Sequence, residues 1–243
     1  MSGPRAVILD FNGVILDDEP IHCAVLQEVL AEEGYRLTEE EYRRDYLAQD
    51  DRGCFTLALR GMGRPVTEAA LADLIRRKGT RYQARMREGY RFFPGVVDFL
   101  RAGAGRVRLA IASGAHRDEI EAALRRAGLT SCFTAIVSAD EISRMKPDPE
   151  IYRTALDRLN GAPPRPLPPI APSQCLAVED SMAGVEAAQA AGMPCVAVTN
   201  SYPAEALGFA DLVVPGLAGQ TTEGLWRAAT DGTRGLSGGR RRR

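Results

Sequence analysis

A chain of 243 residues is long enough for one substantial core, or for a core domain with a smaller partner. Its 45% hydrophobic and 26% charged residues are the composition of a soluble globular protein, and a net charge of -1 gives no field to draw in nucleic acid or an anionic membrane. With no apolar run of membrane-spanning length, no secretory leader pattern, and five widely spaced cysteines that form no CxxC pair, the expectation is a reduced, cytoplasmic protein without a zinc site or disulfide framework.

In chain order, "AVILDF" (6–11) is a continuous apolar run that reads as a strand covered on both faces. Residues 18–91 then show helical spacing with hardly any strand signal, in "PIHCAVLQEVLAEEG", "TEEEYRRDYLA", "CFTLALRGMG" and "EAALADLIRRKGTRYQARMREG". "FFPGV" (92–96) returns the chain to the first domain through a Pro94-Gly95 turn. Strands are predicted at "VRLAIAS" (107–113), "AIVSAD" (135–140), "CLAVED" (175–180), "PCVAVTN" (194–200) and "DLVVP" (211–215). Helices are predicted at 116–129, 149–159 and 182–192, with Gly128 and Gly192 placed as C-caps. The proline-dense 160–174 reads as an exposed connector, and 234–243, with four terminal arginines, as a disordered basic tail.

Strand–helix alternation of this kind predicts an α/β fold, a doubly wound parallel, Rossmann-like sheet, with an all-helical domain inserted after the first strand. The domains would be 1–17 with 92–233, and 18–91. Within the insert, Arg76, Arg77 and Lys78 read as a solvated helix face, and Asp17 as a cap for the helix that follows it.

The residues that carry chemistry stand where strands end. Asp10 ends the first, Ser113 the second, and Glu179-Asp180 a later one. Ligands of open α/β sheets bind beyond those ends. Lys146, in "RMKPDPEIY" ahead of a helix, can reach the same place. Clustered carboxylates repel unless a cation sits among them, and oxygen-only ligands favour Mg²⁺. Of these carboxylates, Asp10 and Asp180 are the chosen ligands, with the main-chain carbonyl of Asn12 as a third. Ser113, Lys146 and the amides of Gly13 and Gly114 would surround a phosphoryl group.

"DFNGV", "IASG", "KPDPEIY" and "VEDSMAGVEAAQAAGM" resemble, in order, the four motifs of the haloacid dehalogenase (HAD) superfamily. A helical insert directly after the first motif is similar to the cap of its β-phosphoglucomutase and phosphoglycolate phosphatase branch. The resemblance implies that Asp10 is the nucleophile and forms an aspartyl-phosphate. It further implies that Ser113 hydrogen-bonds the phosphoryl oxygens and Lys146 neutralises charge. Asp180 would bind Mg²⁺, with Glu179 bound directly or through water. The acidic pair argues against dehalogenation. The implied partner is a small phosphorylated metabolite, with no nucleic acid or membrane, and the protein a monomer or homodimer.

One residue departs from the family pattern. The acid–base aspartate expected two positions after the nucleophile is Asn12. An amide neither donates nor accepts a proton in this way, and loss of a general acid–base group typically lowers rates by about 10²–10⁴. Either the substrate has a good leaving group, or Asp18 or His22 substitutes, or the protein is a weak phosphate trap, or Asn12-Gly13 deamidates. A phosphoglucomutase-like phosphotransferase and a silent phosphate-binding protein are the alternatives to a phosphohydrolase. His116 and Arg117 either bind a second anionic group or form the first turn of a helix. Asp51 and Arg52, beside Asp50 in the insert, either face the substrate or form a surface turn.

Overall fold

The computed structural model describes residues 3–47 and 49–231, so the basic tail expected at 234–243 lies outside the described residues. In chain order the elements are β1 (Ala6–Leu9), α1 (Glu19–Glu32), α2 (Glu39–Glu41), a π-helical segment at Tyr42–Tyr46, α3 (Asp51–Gly61) and α4 (Glu68–Glu88). Next come α5 (Val96–Gly103), β2 (Arg108–Ala112), α6 (Arg117–Ala127), β3 (Ala135–Val137) and α7 (Glu150–Gly161). The chain finishes with β4 (Cys175–Glu179), α8 (Met182–Ala190), β5 (Cys195–Val198), β6 (Leu212–Val214) and α9 (Thr222–Thr230). Two compact units result: residues up to Leu16 with those from Phe92 on, and Asp17–Arg91.

In the first unit the described strands form one parallel sheet in the order β3-β2-β1-β4-β5-β6. Ala6 and Ile8 of β1 point to one face, where they pack with Ala110, Ala177, Ile151, Tyr152 and Val185. Val7 and Leu9, on the opposite pleat, are equally buried, as are Leu109 and Ile111. Burial on both faces is why these strands read as unbroken apolar runs. Strand order reverses between β1 and β4, which places the ligand crevice of such a sheet at their carboxyl ends. Gly128 ends α6 in the left-handed conformation, the C-cap role its position implies. Two helices escape the sequence reading. The eight residues of α5 follow a Pro-Gly turn, and α9 carries a glycine one turn inside its Thr221 cap.

The helical unit has its own core. Leu26, Val29 and Leu30 of α1 meet Phe55, Ala58 and Leu59 of α3 and Leu71 and Leu74 of α4, at spacings that give each helix one apolar stripe. Thr38, Asp50 and Thr67 cap three of its helices through side-chain oxygens. Arg77, Arg81 and Arg85 of α4 pair with Glu33, Glu32 and Glu28 along α1. Arg76 is solvated as expected, but Lys78 is 4% exposed, which corrects its reading as a surface charge. Asp17 does not cap α1: it pairs with Arg91 at 2.9 Å, and Asp18 occupies the cap position without a side-chain cap bond. Among the described residues no helix is long and apolar enough to cross a membrane.

Candidate active site

Register brings the chemistry together. Leu9 stands beside Ile111 on one side and Val178 on the other, so Asp10, Ser113 and Glu179-Asp180 emerge from one edge of the sheet. The Asp10 amide donates to the Val178 carbonyl at 3.0 Å and the Ser113 amide to Val137 at 3.0 Å, which extends the ladder to the site itself. One carboxylate oxygen from each of Asp10, Glu179 and Asp180 lies within 4.8 Å of the others.

A single ammonium faces this group among the described residues. Lys146 Nζ donates to Glu179 Oε1 at 2.6 Å and stands 3.0 Å from Asp10 Oδ1 as an ion pair. It also lies 5.5 Å from the centre of the Tyr152 ring. Glu179 is fully buried, and all its capacity is engaged. Oε1 accepts from Lys146 and from the Tyr152 hydroxyl at 2.6 Å, and Oε2 accepts from the Asp180 amide and the Ser181 hydroxyl at 3.2 Å each. Gly184 on α8 packs so closely on this carboxylate that a Cβ would collide with it.

The electrostatics follow from burial. Desolvation raises the Asp10 carboxyl to about 6; Lys146 opposes this and Glu179 adds to it. Burial, then the charges of Asp10 and Glu179, push Asp180 well above the usual carboxylate range. Burial works against the charge on Lys146, but Asp10 and Glu179 outweigh it and keep the ammonium protonated.

The turn after Asp10 is tight. Gly13 adopts φ +77°, and a Cβ there would strike the Asp180 carboxylate. Its N–H donates to Leu16 O at 2.9 Å and its carbonyl accepts from Asn200 Nδ2 at 2.6 Å. Asn12, half-buried, pairs its backbone with Leu16. The Gly13 nitrogen that would close a succinimide is therefore held by a hydrogen bond, which opposes the deamidation its sequence invites. Ser113 is buried, and its Oγ accepts from the Ala115 amide at 3.2 Å, leaving its proton to donate elsewhere.

A family model described as haloacid dehalogenase-like hydrolase matches residues 4–192. The chain belongs to that family. This HAD-like hydrolase is 30% identical to protein CbbY of Rhodobacter capsulatus over 231 residues, 91% of this chain and 97% of the relative. It is 31% identical to the phosphorylated carbohydrates phosphatase of Thermotoga maritima, over 78% of this chain and 82% of that one. Among solved structures, a mutant CbbY from Rhodobacter sphaeroides in complex with xylulose-(1,5)bisphosphate is similar with a TM-score of 0.71 and 28% identity, covering 91% of this chain and 99% of the other. With named phosphatases of the family at this likeness, the chain is a hydrolase of the phosphatase class.

The remaining predicted residues of this HAD-like hydrolase divide. Gly114 is exposed beside the buried Ser113. His116 and Arg117 stand at the start of α6 and are engaged with β3-side residues. His116 Nδ1 lies 2.7 Å from Asp140, and the Arg117 guanidinium is spent on Glu121, Glu141 and the Ile136 carbonyl, so both tie α6 to the segment at β3. Arg52 pairs with Glu68 in solvent.

Within the helical unit, buried Asp18 and half-buried His22 belong to one hydrogen-bonded cluster. Asp18 Oδ2 accepts from the Tyr82 hydroxyl at 2.6 Å and from His22 Nε2 at 3.1 Å, and His22 stacks on Tyr82 with centroids 4.4 Å apart. Lys78 Nζ lies 2.9 Å from His22 Nδ1 and also donates to Asp51. An ammonium only donates, so Nδ1 accepts and Nε2 carries the proton given to Asp18. Burial pushes the Asp18 carboxyl up, but the hydrogen bonds from His22 and Tyr82 bring it below its ordinary value. Two donors thus favour the ionised form of the Asp18 carboxyl.

Sequence reasoning missed Tyr152, Asn200 and Ser201. A signal existed for two of them: "VTNSY" closes a predicted strand, the same position that singled out Ser113.

Proposed function

We propose that this HAD-like hydrolase is a Mg²⁺-dependent phosphohydrolase of small phosphorylated metabolites, sugar phosphates foremost, that works through an aspartyl-phosphate on Asp10 and lacks the usual acid–base carboxyl at position 12. The observation that carries the reading is the convergence of Asp10, Glu179 and Asp180 within 4.8 Å around one lysine. The donor set fits Mg²⁺. It is all oxygen, it holds more negative charge than Lys146 balances, and Asp10 Oδ1 is buried without a hydrogen bond of good geometry. Asp10, Asp180 and the Asn12 carbonyl would hold the ion, with Glu179 directing Lys146 from behind. When bound, Mg²⁺ supplies charge to balance phosphoryl oxygens gathered near three carboxylates.

The chain's own groups do the rest. Asp10 attacks phosphorus and the ester oxygen leaves, so the P–O bond to the substrate breaks as the bond to Asp10 forms. Ser113 donates to a phosphoryl oxygen, while Lys146 offsets charge on both carboxylate and phosphate. Asn12 neither protonates the departing oxygen nor deprotonates the incoming water. Substrates whose leaving group needs no proton, such as acyl phosphates, are therefore turned over faster than alkyl phosphates. The sugar-phosphate class rests on the relatives named for phosphorylated carbohydrates and a bound bisphosphate sugar.

The test compares acetyl phosphate, p-nitrophenyl phosphate and a sugar-phosphate panel on wild type and Asp10→Asn. Wild-type turnover that vanishes in Asp10→Asn, together with Mg²⁺-dependent capture of trifluoroberyllate by wild type alone, is the expected result. Turnover that survives in Asp10→Asn overturns the assignment.

A further inference from the structure

Asn200 and Ser201 follow β5, the strand beside β4, and the loop they form is tied to β6 by the Thr199 amide, 3.1 Å from Val214 O. Neither takes part in the chemistry above. Yet Ser201 Oγ donates to Asp180 Oδ2, and Asn200 Nδ2 reaches the Gly13 carbonyl at 2.6 Å. One dipeptide thus holds the carboxylate at the end of β4 and the turn that follows β1. These two segments already touch where Gly13 lacks a Cβ beside Asp180.

We infer that Asn200 and Ser201 are positioning residues for the divalent cation, an inference that rests on the metal-dependent reading of the site. A carboxylate gripped by one oxygen cannot swing away from its neighbours, so Ser201 fixes the direction in which Asp180 presents itself. Asn200 anchors the Gly13 carbonyl, one peptide beyond the Asn12 carbonyl offered to the ion, and so holds the turn that aims it. The donors suit the task because both are neutral. A second lysine in place of Ser201 would grip Asp180 equally well, but it would cancel charge the cation needs. Groups that orient ligands without binding the metal change metal affinity by about 10–100-fold when removed.

The experiment measures Mg²⁺ binding by calorimetry on wild type, Ser201→Ala, Ser201→Thr and Asn200→Ala, with melting temperatures in EDTA as the fold control. Ser201→Ala and Asn200→Ala are expected to weaken Mg²⁺ by about tenfold or more. Ser201→Thr, which keeps the hydroxyl, should stay near wild type. Turnover at saturating Mg²⁺ should recover in Ser201→Ala, so that the defect lies in the Mg²⁺ requirement and not in kcat. Should Ser201→Ala fail to fold, Ser201→Cys, similar in shape with a weaker donor, takes its place. Wild-type-like Mg²⁺ affinity in the alanine variants overturns the inference and leaves the proposed function standing. Absence of Mg²⁺ binding in wild type removes the proposed function first and this inference with it.

Discussion

Asn12 differs from aspartate by one nitrogen in place of one oxygen, and that exchange removes a proton carrier without altering the backbone carbonyl or the Gly13 turn. Asn12→Asp is therefore expected to raise turnover of alkyl phosphates by about 10²–10⁴ while changing acetyl phosphate little. Steady-state kinetics on both substrates checks this, and equal gains on the two would show that the amide affects more than leaving-group protonation. Gly184→Ala acts on a neighbour. Its methyl group would drive into the Glu179 carboxylate that holds Lys146. The expected cost is about 1–3 kcal/mol in denaturant unfolding, as for overpacked cores, with a larger loss of activity than of stability. At this scale Asp10, Glu179 and Asp180 were legible from sequence because carboxylates that end apolar runs stand out. Asn200 and Ser201 stand at an equivalent position, but without charge they look like any loop residues. The direction of a side chain is also invisible in sequence: Arg117 stood beside Ser113 in the chain, and only coordinates reveal Glu141 as its partner.

The helical elements are held by a polar core as well as an apolar one. Removing the charge of Asp18 leaves His22 and Tyr82 with a weaker acceptor, so Asp18→Asn is expected to destabilise the protein by about 1–3 kcal/mol. The sign with pH follows from the direction of its shift. Its folded carboxyl titrates below the ordinary 3.8, so its contribution is in place above that value and is lost as pH falls through the lower folded one. Acid unfolding near pH 3 should therefore be less steep in Asp18→Asn than in wild type. By contrast, Arg85→Ala, which removes an exposed rung between α4 and α1, should change stability by under about 1 kcal/mol. Element types were largely legible because period distinguishes a doubly covered strand from a one-sided helix. Lys78 was misread despite a sequence clue. It lies on the stripe of Leu71 and Leu74, and the long side chain hid the fact that its position is internal.

Across the whole molecule, the acidic cluster couples folding to protons and cations. Asp10, raised to about 6, and Asp180, raised well above the usual carboxylate range, favour the protonated fold. The stability they lend is present at low pH and lost as pH rises through about 6 when no cation replaces the protons. At a hundredfold excess over its Kd, Mg²⁺ adds about 2.7 kcal/mol. Thermal melts with and without EDTA should show a larger Mg²⁺ increment at about pH 8 than at about pH 5, and equal increments would detach the cluster from cation binding.

The junctions of the insert carry a consequence of their own. Leu16 bridges Phe92, and the Asp17 amide donates to Arg91 O at 2.8 Å, so the segment leaves and returns through neighbouring backbone. The sheet thus meets a closed port rather than a long unsupported excursion, and lengthening the excursion would add only slowly to the entropy of closure. Segments of other lengths can therefore be spliced between those two points at little further entropic cost to the sheet that anchors them.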